Sequence, residues 1–196
     1  MSFVTDLRDV RNWLFKGVAV EQALTSLEGE GVAVRAASDP GALQRVLPLE
    51  DFSGDIREAA MSALPAYLAF FCIENAVREL IRERMSQQHG NDWWDTCVAT
   101  GIREKVAQRR EKEGQNRWHT RRGAHELNYT DFGDLALILQ NAWADFSDLF
   151  PDVSWITNRL RELELSRNVI AHNNVLDKHE LDRIRMYLSD WLRQVG

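Results

Sequence analysis

The chain has only two cysteines in 196 residues, Cys72 and Cys97, and both lie inside apolar helical patterns where a free thiol acts as a small hydrophobe. A disulfide framework and a cysteine-built zinc site are therefore excluded. No run approaches the roughly 18 to 20 consecutive apolar residues of a membrane span, and Met1 to Asp9 lack the basic and apolar regions of a signal peptide. A cytoplasmic protein without a membrane partner is expected. The chain also lacks an excess of basic residues: its net charge of -6 argues against coating nucleic acid indiscriminately. Repeats and low-complexity segments are absent. Gly29-Glu30-Gly31 has no third glycine, and no Gly-Lys-Ser/Thr phosphate loop exists. His125-Glu126 and His179-Glu180 begin like the helical zinc motif, but Tyr129 and Arg183 stand where its second histidine belongs. Neither a metal nor a nucleotide cofactor is expected.

What is present is helical pattern. The 44% hydrophobic content suffices to bury a core, and the length suits one domain plus an appendage. In residues 1–52, Phe3, Leu7, Val10 and Leu14 suggest one short helix and Val20 to Leu27 another. Val32 to Arg35 suggests a brief strand, and Asp39-Pro40, an N-cap followed by a first-turn proline, opens another short helix. These residues form a small mixed appendage with no assigned role. Residues 53–196 form the helical domain. One long pattern runs from Asp55 to His89, with Pro65 expected to kink it, and a second from Trp93 to Lys112. Residues 114–130 have no clear period. Thr130-Asp131 caps a third helix that carries Leu135, Ile138, Leu139, Ala142 and Phe146. A fourth helix follows Pro151 and ends near Asn173-Asn174, and a fifth begins after Asp177. Short turns between helices make an all-α antiparallel bundle the default architecture.

Charge is unevenly placed. Residues 103–122 hold eight basic and three acidic residues, a local +5 that leaves -11 for the rest. Such a segment either binds a polyanion or is a solvated helix face with intrahelical ion pairs. Within it, Trp118 stands among Arg117, His119, Arg121 and Arg122 and is the candidate base-stacking aromatic, whereas Trp93 and Trp94 read as core.

In the fourth helix the stripe Leu149, Val153, Ile156, Leu160, Leu163 continues into Arg167, Ile170 and Asn174. Arg167 interrupts apolar positions, and an inward guanidinium is costly unless it is paired or faces a cleft. It either lines a site or snorkels to the surface. Asn168 and His172, four residues apart, share one face, while Arg167 lies about 140° from His172 at roughly 100° per residue. In the first long helix Glu74 precedes Arg78 by one turn. The two either form an internal ion pair, or Glu74 and Asn75 lean toward Arg167 to fix its rotamer.

Arg167-Asn168-Val169-Ile170-Ala171-His172 resembles the signature of the HEPN superfamily: an arginine, commonly a polar residue next, then a histidine a few positions on. The similarity extends over roughly residues 60 to 194 through Ala66 to Arg82, Asp92-Trp93-Trp94 and Tyr129 to Asp134. These look like the branch found at the end of the yeast nuclear mRNA quality-control endonuclease and in bacterial stand-alone proteins. The resemblance implies a homodimeric, metal-independent RNA endonuclease. His172 would be the acid-base group, Arg167 the phosphate clamp and Asn168 an orienting residue, with Glu74 and Asn75 in support. RNA would contact Arg117, Trp118, Arg121 and Arg122. It further implies toxin-antitoxin, stress-response or antiviral settings, with a neutralising antitoxin or a larger protein as a second partner. Some relatives keep only the fold as a pairing module, which is the competing expectation.

Overall fold

The computed structural model describes residues 48–195. The chain divides into two units between Gly54 and Asp55. The short helices and the strand read between Phe3 and Pro40 lie outside the described residues. The second unit is all α-helical: among the described residues no strand occurs. Its helices are α1 (Gly54–His89), α2 (Trp93–Cys97), α3 (Thr100–Gly114), α4 (Phe132–Asn141), α5 (Val153–Ala171) and α6 (Lys178–Val195).

Helix α1 follows the three-and-four spacing of its apolar residues, burying Ala66, Phe70, Ile73, Val77, Ile81 and Met85 along one stripe. Pro65 lies inside it and does not end it. None of the described residues before Ala66 is buried, and Ile56, Met61, Leu68, Tyr67 and Phe71 are exposed. An 18-residue window of α1 reaches a mean hydropathy of 1.4 with 28% of it buried, so by length and composition this helix is apolar enough to cross a membrane. A count of consecutive apolar residues misses this because Ser62, Glu74 and Asn75 interrupt the run.

The segment expected as one helix from Trp93 to Lys112 is two. Val98 and Ala99 are extended, and Val98 is buried, so the chain steps aside to insert a β-branched side chain into the core. The third expected helix is also shorter. Helix α4 ends at Asn141, and Trp143–Asp145 forms a separate 3-10 turn. Here tertiary contacts override local pattern: Arg84 Nε donates to the Asp145 carbonyl at 2.8 Å, and His89 Nε2 meets the Asp145 carboxylate at 2.9 Å. Phe146 is fully buried just beyond.

Helix α4 is the centre of the unit. Phe132, Leu135, Ala136, Ile138 and Leu139 are buried, which covers most of its circumference, and it packs along α5. Asp131 and Asp134 close a capping box at its start, Asp131 accepting from the Asp134 N–H at 3.0 Å and Asp134 from the Asp131 N–H at 3.2 Å. Asp152 caps α5 by accepting from the Trp155 N–H at 2.8 Å. The inward face of α5 is Ile156, Thr157, Leu160, Leu163 and Ser166.

Candidate functional site

The rotation of α5 decides where its polar residues go. The expected stripe placed Arg167 in the core seam, but that slot belongs to Ser166, whose hydroxyl donates to Glu180 Oε1 of α6 at 3.1 Å. Arg167 is therefore one residue round the helix, half-buried at the edge of the packed face. It lines a cleft of about 830 Å³ together with Glu74, Asn75, Arg78, Arg122 and Asp131. Asn174, the last member of that stripe, is exposed.

Helix α5 ends immediately after the site. His172 is its C-cap, and Asn173 adopts φ 59° in the left-handed region. The Asn174 N–H donates to the Val169 carbonyl at 3.1 Å and the Asn173 N–H to the Ile170 carbonyl at 3.0 Å, the two bonds of a Schellman stop. Ala171 and Asn173 line the cleft. His172 and Asn168 are exposed and do not. Their expected neighbourhood on one turn holds, since the His172 N–H donates to the Asn168 carbonyl at 3.1 Å. Within one chain, then, Arg167 faces the cleft while Asn168 and His172 face solvent beside it.

Glu74 and Asn75 reach the cleft, but their partner is Arg78. The buried Glu74 carboxylate is ion-paired with Arg78, and Asn75 accepts from Arg78 Nη1 at 3.3 Å while donating to the Phe71 carbonyl at 2.8 Å. Neither is bonded to Arg167, so the ion-pair alternative describes them. Arg167 itself has no acidic partner and no side-chain hydrogen bond among the described residues. Every other cation of the cleft is matched by a carboxylate. Arg109 is 3.0 Å from Asp131 and 3.4 Å from Asp134, and Arg122 is 3.5 Å from Glu113.

The basic segment is thus largely neutralised, though across the tertiary structure rather than along its own helix. Lys105 lies 2.9 Å from both Asp131 and Asp134, and Arg110 pairs with Glu126. Burial alone would raise the Asp131 pKa, but hydrogen bonds from Lys105 and Arg109 outweigh it and hold that carboxyl well below the usual range. Arg117 and Arg121 have no acidic partner among the described residues. Trp118 is 85% exposed with His119 edge-on at 5.5 Å, whereas Trp93 is buried and Trp94 packs against the core. Arg121 lines a separate recess of about 410 Å³ with Arg110 and Tyr129, so of the four expected RNA contacts only Arg122 borders the main cleft.

His125 was a failed zinc residue in sequence and is a structural one in the fold. Its ring stacks on Trp93 at 5.9 Å, and Nδ1 accepts from the Leu127 N–H at 3.1 Å to cap a 3-10 turn. Burial pushes its pKa down. Among the described residues no three His, Cys, Asp or Glu side chains converge as metal ligands. Sequence reasoning missed Arg109, Asn128 and Asn173 as cleft residues, because their positions depend on how segments far apart in the chain meet.

The bundle, with an arginine and a histidine ending its penultimate helix at the edge of a cationic cleft, defines a HEPN-type helical domain. The family model described as Swt1-like HEPN matches residues 68–196, more than half of the chain, and the chain belongs to that family. The resemblance carried by Arg167 to His172 is therefore a family membership. Neither the curated proteins nor the solved structures provide a match.

Proposed function

We propose that this protein is a metal-independent endoribonuclease whose site is completed by a second copy of the chain. The observation that carries the reading is Arg167: a half-buried guanidinium on a cleft wall, with no acid to neutralise it among the described residues, is a vacant phosphate ligand. Its planar fork would hold the scissile phosphate and offset charge developing on its oxygens. His172 would take the proton from the ribose 2'-hydroxyl or give one to the departing 5'-oxygen, and Asn168, one turn before it, would orient phosphate or imidazole. The products would be a 2',3'-cyclic phosphate and a 5'-hydroxyl, and DNA, lacking the attacking hydroxyl, would not be cut.

Because His172 lies outside the cleft that Arg167 lines, the reading needs a dimer in which each cleft receives the histidine of the other copy. The exposed Tyr67 and Phe71 at the cleft, and Leu165 and Val175 on either side of His172, supply apolar surface for that contact. A cytoplasmic setting, and restraint by an antitoxin or larger partner, belong to the same proposal.

Incubation of the purified protein with total RNA in EDTA tests it. Cleavage under chelation that disappears in an Arg167→Ala, His172→Ala double variant is expected. Intact RNA at high protein concentration would instead make the chain a pairing module.

A further inference from the structure

The cleft carries more positive charge than one phosphate needs, and part of that charge is occupied from within. Arg78 keeps 16% of its side-chain exposure. Its Nη2 donates to Glu74 and, at 2.9 Å, to the Thr130 carbonyl, while its Nε is buried with no acceptor. Burial pushes the Arg78 pKa down, Glu74 pulls it back up, and the charges of Arg167 and Arg122 oppose it. The Arg78 guanidinium therefore shares one cleft with two like charges, Arg167 and Arg122, that oppose its own. An anion placed among them removes that repulsion and gains charge-assisted hydrogen bonds. The fourth, Arg109, is held by Asp131 and Asp134 and has little left to offer.

We propose that Arg78 and Arg122 form a second phosphate subsite beside Arg167, and that the Glu74 carboxylate keeps the place of that phosphate until a polyanion enters. The proposal rests on reading Arg167 as a phosphate ligand. Glu74 lines the same cleft as Arg167, and a carboxylate presents to a guanidinium fork the same paired oxygens as a phosphate. Its charge is what lets Arg78 stay buried in the empty cleft, since an unpaired buried cation is strongly destabilising. Arg122 is 55% exposed and lightly held by Glu113, so it can turn toward a ligand. The volume of about 830 Å³ lies within the range of roughly 300 to 1,000 Å³ that encloses a sizeable ligand. The site therefore selects a chain bearing two successive phosphates over one bearing a single phosphate.

The probes are uncleavable 2'-O-methyl oligoribonucleotides, a dinucleotide with one phosphate and a trinucleotide with two, titrated against the full chain at fixed low salt. Wild type is expected to bind the trinucleotide about tenfold tighter or more, the order of one good charge-assisted contact. Arg122→Ala lowers that ratio toward one. Glu74→Gln, nearly the same in shape, removes the internal competitor and tightens trinucleotide binding several-fold, although it lowers the melting temperature. A ratio near one in wild type, a ratio unchanged in Arg122→Ala, or a Glu74→Gln protein that melts cooperatively but binds no tighter would each overturn the subsite. Failure of both oligonucleotides to bind would do the same. RNA cleavage in EDTA with no two-phosphate preference leaves the enzyme standing without the subsite, and the preference without cleavage does the reverse.

Discussion

Arg167 and His172 differ in environment, and so their removal should differ in effect. Arg167→Ala deletes a charge that meets the phosphate before and during reaction, so both affinity and turnover should fall; Arg167→Lys should restore affinity better than rate, because an ammonium keeps the charge without the fork. His172→Ala should lower turnover by about 10²- to 10⁴-fold and leave RNA affinity within a few-fold. Being an exposed C-cap, His172 should leave the melting temperature almost unchanged. A well-folded Arg167→Ala protein that cleaves at the wild-type rate would remove that residue from the site. His125 makes a separate prediction. Its folded pKa is depressed, so the stability it supports is complete above the ordinary imidazole value and is lost as pH falls through the folded one. His125→Asn keeps an acceptor for the Leu127 N–H, and its melting temperature should fall less than that of wild type between pH 7.5 and 5. Parallel pH profiles for the two proteins would deny His125 this role.

Among the elements, the end of α5 sets the geometry of the motif. The Schellman stop needs a left-handed residue at 173, where asparagine is tolerated and glycine is better. Asn173→Gly should hold or raise the melting temperature. Asn173→Val should cost about 1 to 2 kcal/mol and disturb cleavage more than its stability loss explains, because the turn positions both Ala171 and His172. Denaturant melts beside cleavage rates would show this, and equal stability of the two variants would refute it. The loop between α3 and α4 is the other informative element: of its three arginines, Arg122 is matched by Glu113. Only Arg117 and Arg121 lack an acidic partner among the described residues, close to the exposed Trp118. Alanine at both arginines should weaken RNA binding and reduce its salt slope with little change in stability.

For the whole molecule, the exposed apolar side of α1 and the separation of His172 from the cleft call for the same remedy, a second copy. The chain should elute as a dimer, and Leu68→Glu with Phe71→Glu should yield a monomer that has lost RNA cleavage more completely than RNA binding. A wild-type monomer that cleaves, measured by light scattering during chromatography, would end the shared-site reading. Partition of α1 onto lipid vesicles without dimer formation would assign that apolar side to a membrane instead.

The amino-acid sequence by itself determined the helical class, the stripe of α1, the cap at Asp131, and the family, through the six residues from Arg167 to His172. These depend on periodicity, on short-range hydrogen bonding and on neighbours within one or two turns, all of which are local in the chain. It also placed Glu74 one turn before Arg78, leaving two partners open. Tertiary structure alone decided between them. Thr130 lies 52 residues from Arg78, and its carbonyl is one of the acceptors that hold that guanidinium in place. Likewise, the rotation of α5 followed from burying Ser166 against Glu180, and the break after Asn141 from the grip of Arg84 and His89 on Asp145. Which charges are spent and which stay free is set by acids brought in from other segments, and no period within a helix encodes that.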